Sequence, residues 1–131
     1  DRKLKSLPLP IHFFGRICDE HKLAQLYSAA DVFVAPSRQE TFCNTVLEAL
    51  SCETPAVVFG ASATPELITH KNDGYVAKPF DTQDLARGIT YCLQHPCLGK
   101  EKKKKVEKSY TFDFMADNYV QLYESVLPKS P

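Results

Sequence analysis

Glu40 and Glu48 stand at the two ends of the stretch Glu40-Thr41-Phe42-Cys43-Asn44-Thr45-Val46-Leu47-Glu48, where a polar loop gives way to an amphipathic helix. Both carboxylates can accept hydrogen bonds from sugar hydroxyls. A helix starting near Asn44 would leave its first N–H groups without intrahelical acceptors, at the positive end of the helix dipole, where a phosphate is favoured. At 1.5 Å per residue Glu48 would lie roughly 6 Å along the axis from that start, so both carboxylates could face one small molecule. Asn44 and Thr45 add side-chain donors. An anion at the helix end, flanked by acceptors for hydroxyls, matches the chemistry of a nucleotide-sugar. The plainer alternative makes Glu40 a solvated turn residue and Glu48 a surface residue of an ordinary helix.

The elements that must position this loop follow a βαβ rhythm. Residues 31–35 (Asp31, Val32, Phe33, Val34, Ala35) form an apolar run suited to a buried parallel strand, and Val46, Leu47, Ala49 and Leu50 recur at helical spacing. Residues 54–59 supply another strand and residues 75–77 a short one. Residues 11–14 read as a further strand ended by Gly15, before a helix capped near Asp19 with Leu23, Leu26 and Tyr27 on one face. The expected fold is a three-layer α/β sandwich: a Rossmann-like parallel sheet of about four strands, right-handed crossovers and helices on both faces. In such sheets ligands bind at the carboxyl ends of the strands. Thr64 is the expected N-cap of a helix with Pro65 in its first position, and Asn72, Asp73 and Gly74 mark a turn. Asp81 or Thr82 caps a helix with the apolar face Leu85, Ala86, Ile89, Cys92 and Leu93, ended by Pro96. A last helix over residues 110–127 carries Phe114, Met115, Tyr119, Leu122, Tyr123 and Val126, read as core packing.

A chain of 131 residues suits one domain able to bury about two thirds of its unfolded surface. Residues 1–10 read as a lead-in, 11–127 as the domain and 128–131 as a tail. Lys plus Arg and Asp plus Glu number 16 each, which argues against a broad nucleic-acid surface. The lysine run over residues 100–105 reads as a solvated helix face; contact with anionic lipid headgroups is the alternative. With no apolar run long enough to span a bilayer, the domain is expected to be cytoplasmic, at most at the inner face of the membrane. Cys18, Cys43, Cys52, Cys92 and Cys97 form an odd set without a Cys-x2-Cys pair, so free thiols and no metal site are expected. Cys43 could be taken for a nucleophile, yet no His lies near it in sequence.

The block from Phe13-Phe14-Gly15 through Leu26-Tyr27-Ser28-Ala29-Ala30-Asp31-Val32-Phe33-Val34-Ala35-Pro36-Ser37 to Glu40-x7-Glu48-Ala49-Leu50-Ser51-Cys52-Glu53-Thr54-Pro55-Ala56-Val57-Val58 resembles the carboxyl-terminal donor-binding domain of retaining GT-B-fold glycosyltransferases, carbohydrate-active family 4. Pro65-Glu66-Leu67-Ile68, Asn72-Asp73-Gly74-Tyr75 and Lys78-Pro79-Phe80-Asp81 continue the likeness, which covers about residues 11–127. The resemblance implies that Glu40 contacts the donor sugar near its reacting centre and Glu48 the ribose hydroxyls. It implies that backbone amides of Phe42, Cys43, Asn44 and Thr45 bind sugar and diphosphate, and that Gly15, Arg16 and Ile17 lie beside the nucleobase. It further implies metal-independent transfer with retention, a UDP- or GDP-type donor and no cofactor.

The sequence departs from the family at Cys43, where Gly is usual, so either the backbone there has no positive φ or another subgroup is represented. It also has Gly60 where a Gly-Gly pair is usual. The front strands and the acceptor-binding domain of the family have no counterpart, so the chain is expected to be part of an enzyme, inactive alone and prone to self-association through an exposed edge. The expected function is the donor-binding portion of a glycosyltransferase of bacterial capsular or surface polysaccharide, acting on a sugar or lipid-linked acceptor. The rivals are a noncatalytic scaffold or phosphate-ligand module and a nucleotide-sugar epimerase of the same fold.

Overall fold

Three short apolar runs pair into one parallel sheet: β1 (Phe33–Ala35), β2 (Ala56–Phe59) and β3 (Gly74–Ala77), in the order β1-β2-β3. Phe33 lies opposite Ala56, and Ala56 opposite Gly74. The computed structural model describes residues 8–96, 98 and 102–127. β2 is buried at every position, as a central strand covered on both faces must be.

The helices supply the cover. α1 (Glu20–Ala29) starts at Asp19, whose carboxylate accepts from the His21 and Lys22 N–H groups. α2 (Asn44–Ser51) joins β1 to β2 and buries Val46, Leu47 and Leu50 with Ala35, Ala56 and Val58 on one face. α3 (Thr82–Gln94) starts at the Asp81 cap and crosses the opposite face, where Gly88 meets Tyr75 and Val57. Helix, sheet and helix make the expected three layers. α4 (Lys102–Ser109) packs on α2 through buried Val106, and α5 (Phe112–Val126), capped by Thr111, follows it.

The sheet has three strands among the described residues, not four. Residues 11–14 have no regular secondary structure, with Phe13 and Phe14 60% and 64% exposed. A strand exists only through a ladder partner, and among the described residues β1 pairs with β2 alone.

Three helix expectations also change. The apolar residues of α5 are not core: none of its residues is buried, because α5 packs on α4 and no described element covers its far side. The buried row of α3 is Asp84, Gly88 and Cys92, while Ala86 and Leu93 are exposed. With no Cβ at Gly88 the helix comes so close to Tyr75 that this row becomes the contact line. Buried Asp84 is satisfied by the Lys78 N–H (2.7 Å), the Tyr75 hydroxyl (3.0 Å) and the Arg87 Nε–H (3.2 Å). Those donors, the Lys78 N–H foremost, hold its carboxyl below the usual range. Thr64 is not an N-cap but lies inside a 3-10 turn (Thr64–Leu67), its hydroxyl donating to the carbonyls of Ala61 (2.9 Å) and Phe59 (3.3 Å). Lys103 and Lys104 are exposed on α4; Lys100 and Glu101 lie outside the described residues.

Candidate functional site

The loop from Pro36 to Cys43 leaves the carboxyl end of β1 and delivers the chain into α2 without a side-chain cap. Asp19, Asp81 and Thr111 cap α1, α3 and α5, whereas Cys43 makes no capping bond. The Val46 N–H donates to the Cys43 carbonyl at 3.0 Å, while the Asn44 and Thr45 N–H groups have no acceptor among the described residues. Two unsatisfied donors at the positive end of a helix are what an anion requires.

Cys43 itself is left-handed, with φ 62° and ψ 65°. The absence of positive φ, one of the two explanations for Cys in place of Gly, is thereby removed: the backbone keeps the conformation that glycine would favour. The side chain is buried, with Sγ 3.5 Å from Thr45 Oγ1. An L-residue in this region costs about 1–2 kcal/mol, which glycine would relieve at the expense of one small buried side chain and some unfolded-state entropy. Cys43→Gly is therefore expected to change stability by less than about 1 kcal/mol, whereas β-branched Cys43→Val should cost about 2–3 kcal/mol. Urea unfolding of both variants checks this, and equal midpoints would reject it.

Glu48 is exposed on the second turn of α2, and its Oε2 accepts from the Tyr27 hydroxyl at 3.0 Å. The Tyr27 ring is only 8% exposed and sits edge-on against Phe33 of β1, centroids 5.4 Å apart. Thr54 Oγ1 donates to the Tyr27 carbonyl at 2.6 Å. Burial first, and then the adjacent Glu48 carboxylate, hold the Tyr27 phenol well above its usual pKa, so it remains a donor at neutral pH.

Glu40 is half-buried and has no hydrogen-bond or ion-pair partner among the described residues. Its loop is pinned from below: the Arg38 guanidinium lies 5.1 Å from the Phe80 ring centre, and Phe80 packs on Phe59 at 5.9 Å. This contact brings together the chain leaving β1, the end of β2 and the chain leaving β3. At Gly60 the N–H donates to the Ala77 carbonyl at 2.6 Å, tying the same edge.

Phe42, Asn44 and Glu48 share one wall of an open groove of about 960 Å³, whose other wall is Val106, Tyr110, Phe114, Met115 and Tyr119 of the α4–α5 segment. Phe42 and Tyr110 meet at 6.1 Å. Glu40, Cys43, Thr45, Gly15, Arg16 and Ile17 do not line it. Gly15 has φ 63° and open space beside it, Arg16 is exposed and Ile17 half-buried. Sequence reasoning missed Tyr27 as the partner of Glu48 and Phe80 as the platform for Arg38. A tyrosine on a buried helix face was the available signal, since its hydroxyl must find an acceptor. Cys18, Cys43, Cys52 and Cys92 are free thiols, Cys97 lying outside the described residues. No described helix is long and apolar enough to cross a membrane.

Comparison with known proteins finds relatives of this chain. The sequence profile described as glycosyl transferases group 1 matches residues 1–95. A Mycobacterium tuberculosis GDP-mannose-dependent alpha-(1-6)-phosphatidylinositol dimannoside mannosyltransferase is 51% identical over 65 residues, covering 50% of this chain and 17% of the relative. The Campylobacter jejuni N,N'-diacetylbacillosaminyl-diphospho-undecaprenol alpha-1,3-N-acetylgalactosaminyltransferase is 30% identical over 120 residues, 89% of this chain and 31% of the relative. The chain thus spans less than a third of the length of either. Among solved structures, sucrose-phosphate synthase from Thermosynechococcus elongatus superposes with a TM-score of 0.77 at 31% identity, over 88% of this chain and 30% of that one. The Anabaena protein Alr3699/HepE, solved with UDP-glucose, gives a TM-score of 0.59 at 26% identity over 79% of this chain and 29% of that one.

Proposed function

The chain belongs to the group 1 glycosyl transferases, and from that premise we propose that it is the donor-binding portion of a metal-independent retaining enzyme that takes a UDP- or GDP-sugar. The observation that carries the proposal is the uncapped start of α2 at the carboxyl end of the sheet, where the Asn44 and Thr45 N–H groups have no acceptor among the described residues and Glu48 follows one turn on. In this reading the diphosphate binds at that helix end, Glu48 accepts from the ribose hydroxyls, and Glu40 faces the donor sugar. Gly15, Arg16 and Ile17 border the base. During transfer the bond from the anomeric carbon to the diphosphate oxygen breaks and a bond from that carbon to an acceptor oxygen forms on the same face. The acceptor's proton leaves with the departing diphosphate. The donors at the helix end stabilise the charge that develops there.

Both nucleotide types find support in the relatives: one is named for GDP-mannose, and another was solved with UDP-glucose. The acceptor proposed is a lipid-linked glycan of a bacterial surface polysaccharide, in keeping with the phosphatidylinositol and undecaprenol acceptors in the names of two relatives.

Ligand-observed saturation-transfer NMR of the chain with UDP, GDP and their sugar conjugates tests donor binding, with Glu48→Ala as the control. The expected result is transfer to one nucleotide and a loss of affinity in the variant of about 1–3 kcal/mol, roughly 5- to 150-fold. Unchanged affinity in Glu48→Ala would remove Glu48 from the ribose. No transfer to either nucleotide would reject donor binding by this chain and favour a scaffold.

A further inference from the structure

We propose that Tyr27 is a positioning residue for ribose recognition: by donating to Glu48 Oε2 it fixes the carboxylate, leaving Oε1 without a donor among the described residues and available to the nucleoside's hydroxyls. The inference rests on the reading of Glu48 as the ribose acceptor.

An exposed glutamate on a helix has much rotamer freedom to lose when it binds a ligand. Here that freedom is already reduced, because the partner is itself immobile. The Tyr27 ring is buried against Phe33, and its carbonyl accepts from Thr54, which is itself buried. Phe33 belongs to β1 and Thr54 precedes β2, so the hydroxyl that holds Glu48 is anchored to the sheet from α1. The donor is also neutral. A lysine or arginine in its place would orient the carboxylate but cancel its charge, whereas a phenol O–H leaves the charge and the remaining acceptor sites for the ligand. Tyr27 and Glu48 stand 21 positions apart on different helices, so the contact also sets how α1 and α2 meet beside the proposed donor site.

Selectivity for the sugar of the nucleoside tests this. Tyr27→Phe removes the hydroxyl and keeps the ring. In the 131-residue chain it is expected to weaken binding of the preferred ribonucleoside diphosphate about 5-fold, the size of one typical net hydrogen bond, while the 2′,3′-dideoxy analogue changes less than about 2-fold. The ribo-to-dideoxy ratio therefore falls. A merely structural role would weaken both nucleotides alike, and that result, or no change in either, overturns the inference. Glu48→Gln separates it from the reading beneath. If Glu48→Gln binds the ribonucleotide as wild type does, both fail; if it binds weakly and Tyr27→Phe binds normally, only the role of Tyr27 fails. Should Tyr27→Phe not fold, 3-fluorotyrosine at position 27 replaces it. Its more acidic phenol should raise the ribo-to-dideoxy ratio, and an unchanged ratio overturns the inference.

Discussion

Replacing Glu40 by alanine in an active enzyme that carries this chain is expected to lower kcat by about 10²- to 10³-fold, the usual scale for losing one electrostatic contact to a transition state. Affinity for the bare nucleoside diphosphate should stay within about 2-fold, because that ligand lacks the sugar Glu40 is proposed to face. Breaking the bond at the anomeric carbon develops positive charge on the sugar, in an oxocarbenium-like transition state. A carboxylate beside it stabilises that charge more than it stabilises the bound donor. Glu40→Gln keeps the size and removes the charge, so it should lose nearly as much as Glu40→Ala. The loss should not come from unfolding. Glu40 has no hydrogen-bond or ion-pair partner among the described residues, so its removal leaves no buried group unsatisfied, and stability should move by less than about 0.5 kcal/mol. The loop keeps its anchor in the Arg38–Phe80 contact. Steady-state kinetics with nucleotide titration decide the matter, and wild-type turnover in Glu40→Ala would sink the sugar-centre role.

What could be read from the sequence was what local pattern encodes. β1 and β2 are short apolar runs, the helix between them repeats at helical spacing, and Asn44 begins α2 where the spacing put it. Asp19 caps α1 as its type and position foretold, and of the two caps offered for α3, Asp81 and Thr82, it is Asp81. Non-local facts were not legible. Residues 11–14 have the composition of a strand, but a strand needs a neighbour, and no local pattern says which one. The apolar face of α5 is plain in its periodicity, but periodicity says that a face seeks cover, not that the described elements supply it. At Cys43 the residue type argues against positive φ, and only the closure of the loop onto α2 imposes it. The pairing of Tyr27 with Glu48 depends on how two helices meet. Most of these misses lie at contacts between elements, and the candidate site is built from such contacts.

Gly74 shows the same limit, and its replacement by alanine is expected to cost about 3 kcal/mol or more, at or above the upper end of the usual range for overpacking. From its neighbours Asn72 and Asp73 it reads as a turn glycine. It is instead the first residue of β3, and its requirement is space. A Cβ there would run into the Ala56 carbonyl oxygen and stand 3.1 Å from the Ala56 carbonyl carbon and nitrogen. These are backbone atoms of the central strand, so no rotamer change relieves the clash and β3 must move away from β2. Gly88 offers a graded comparison: its Cβ would meet the Tyr75 ring at 2.5 Å and Val57 Cγ1 at 2.9 Å, side chains that can shift, so Gly88→Ala should cost less, about 1–3 kcal/mol. Gly15→Ala, with nothing within 4 Å, should cost only the left-handed conformation, about 1 kcal/mol. Urea unfolding of the three variants should rank them in that order, and a Gly74→Ala midpoint equal to wild type would refute the close approach. The consequence reaches the site through the carboxyl end of the sheet. Displacing β3 carries Phe80 away from Phe59 and Arg38, which releases the loop that holds Glu40. Any folded Gly74→Ala protein should therefore lose turnover more than it loses nucleotide affinity, since α2 is anchored to β1 and to β2 rather than to β3.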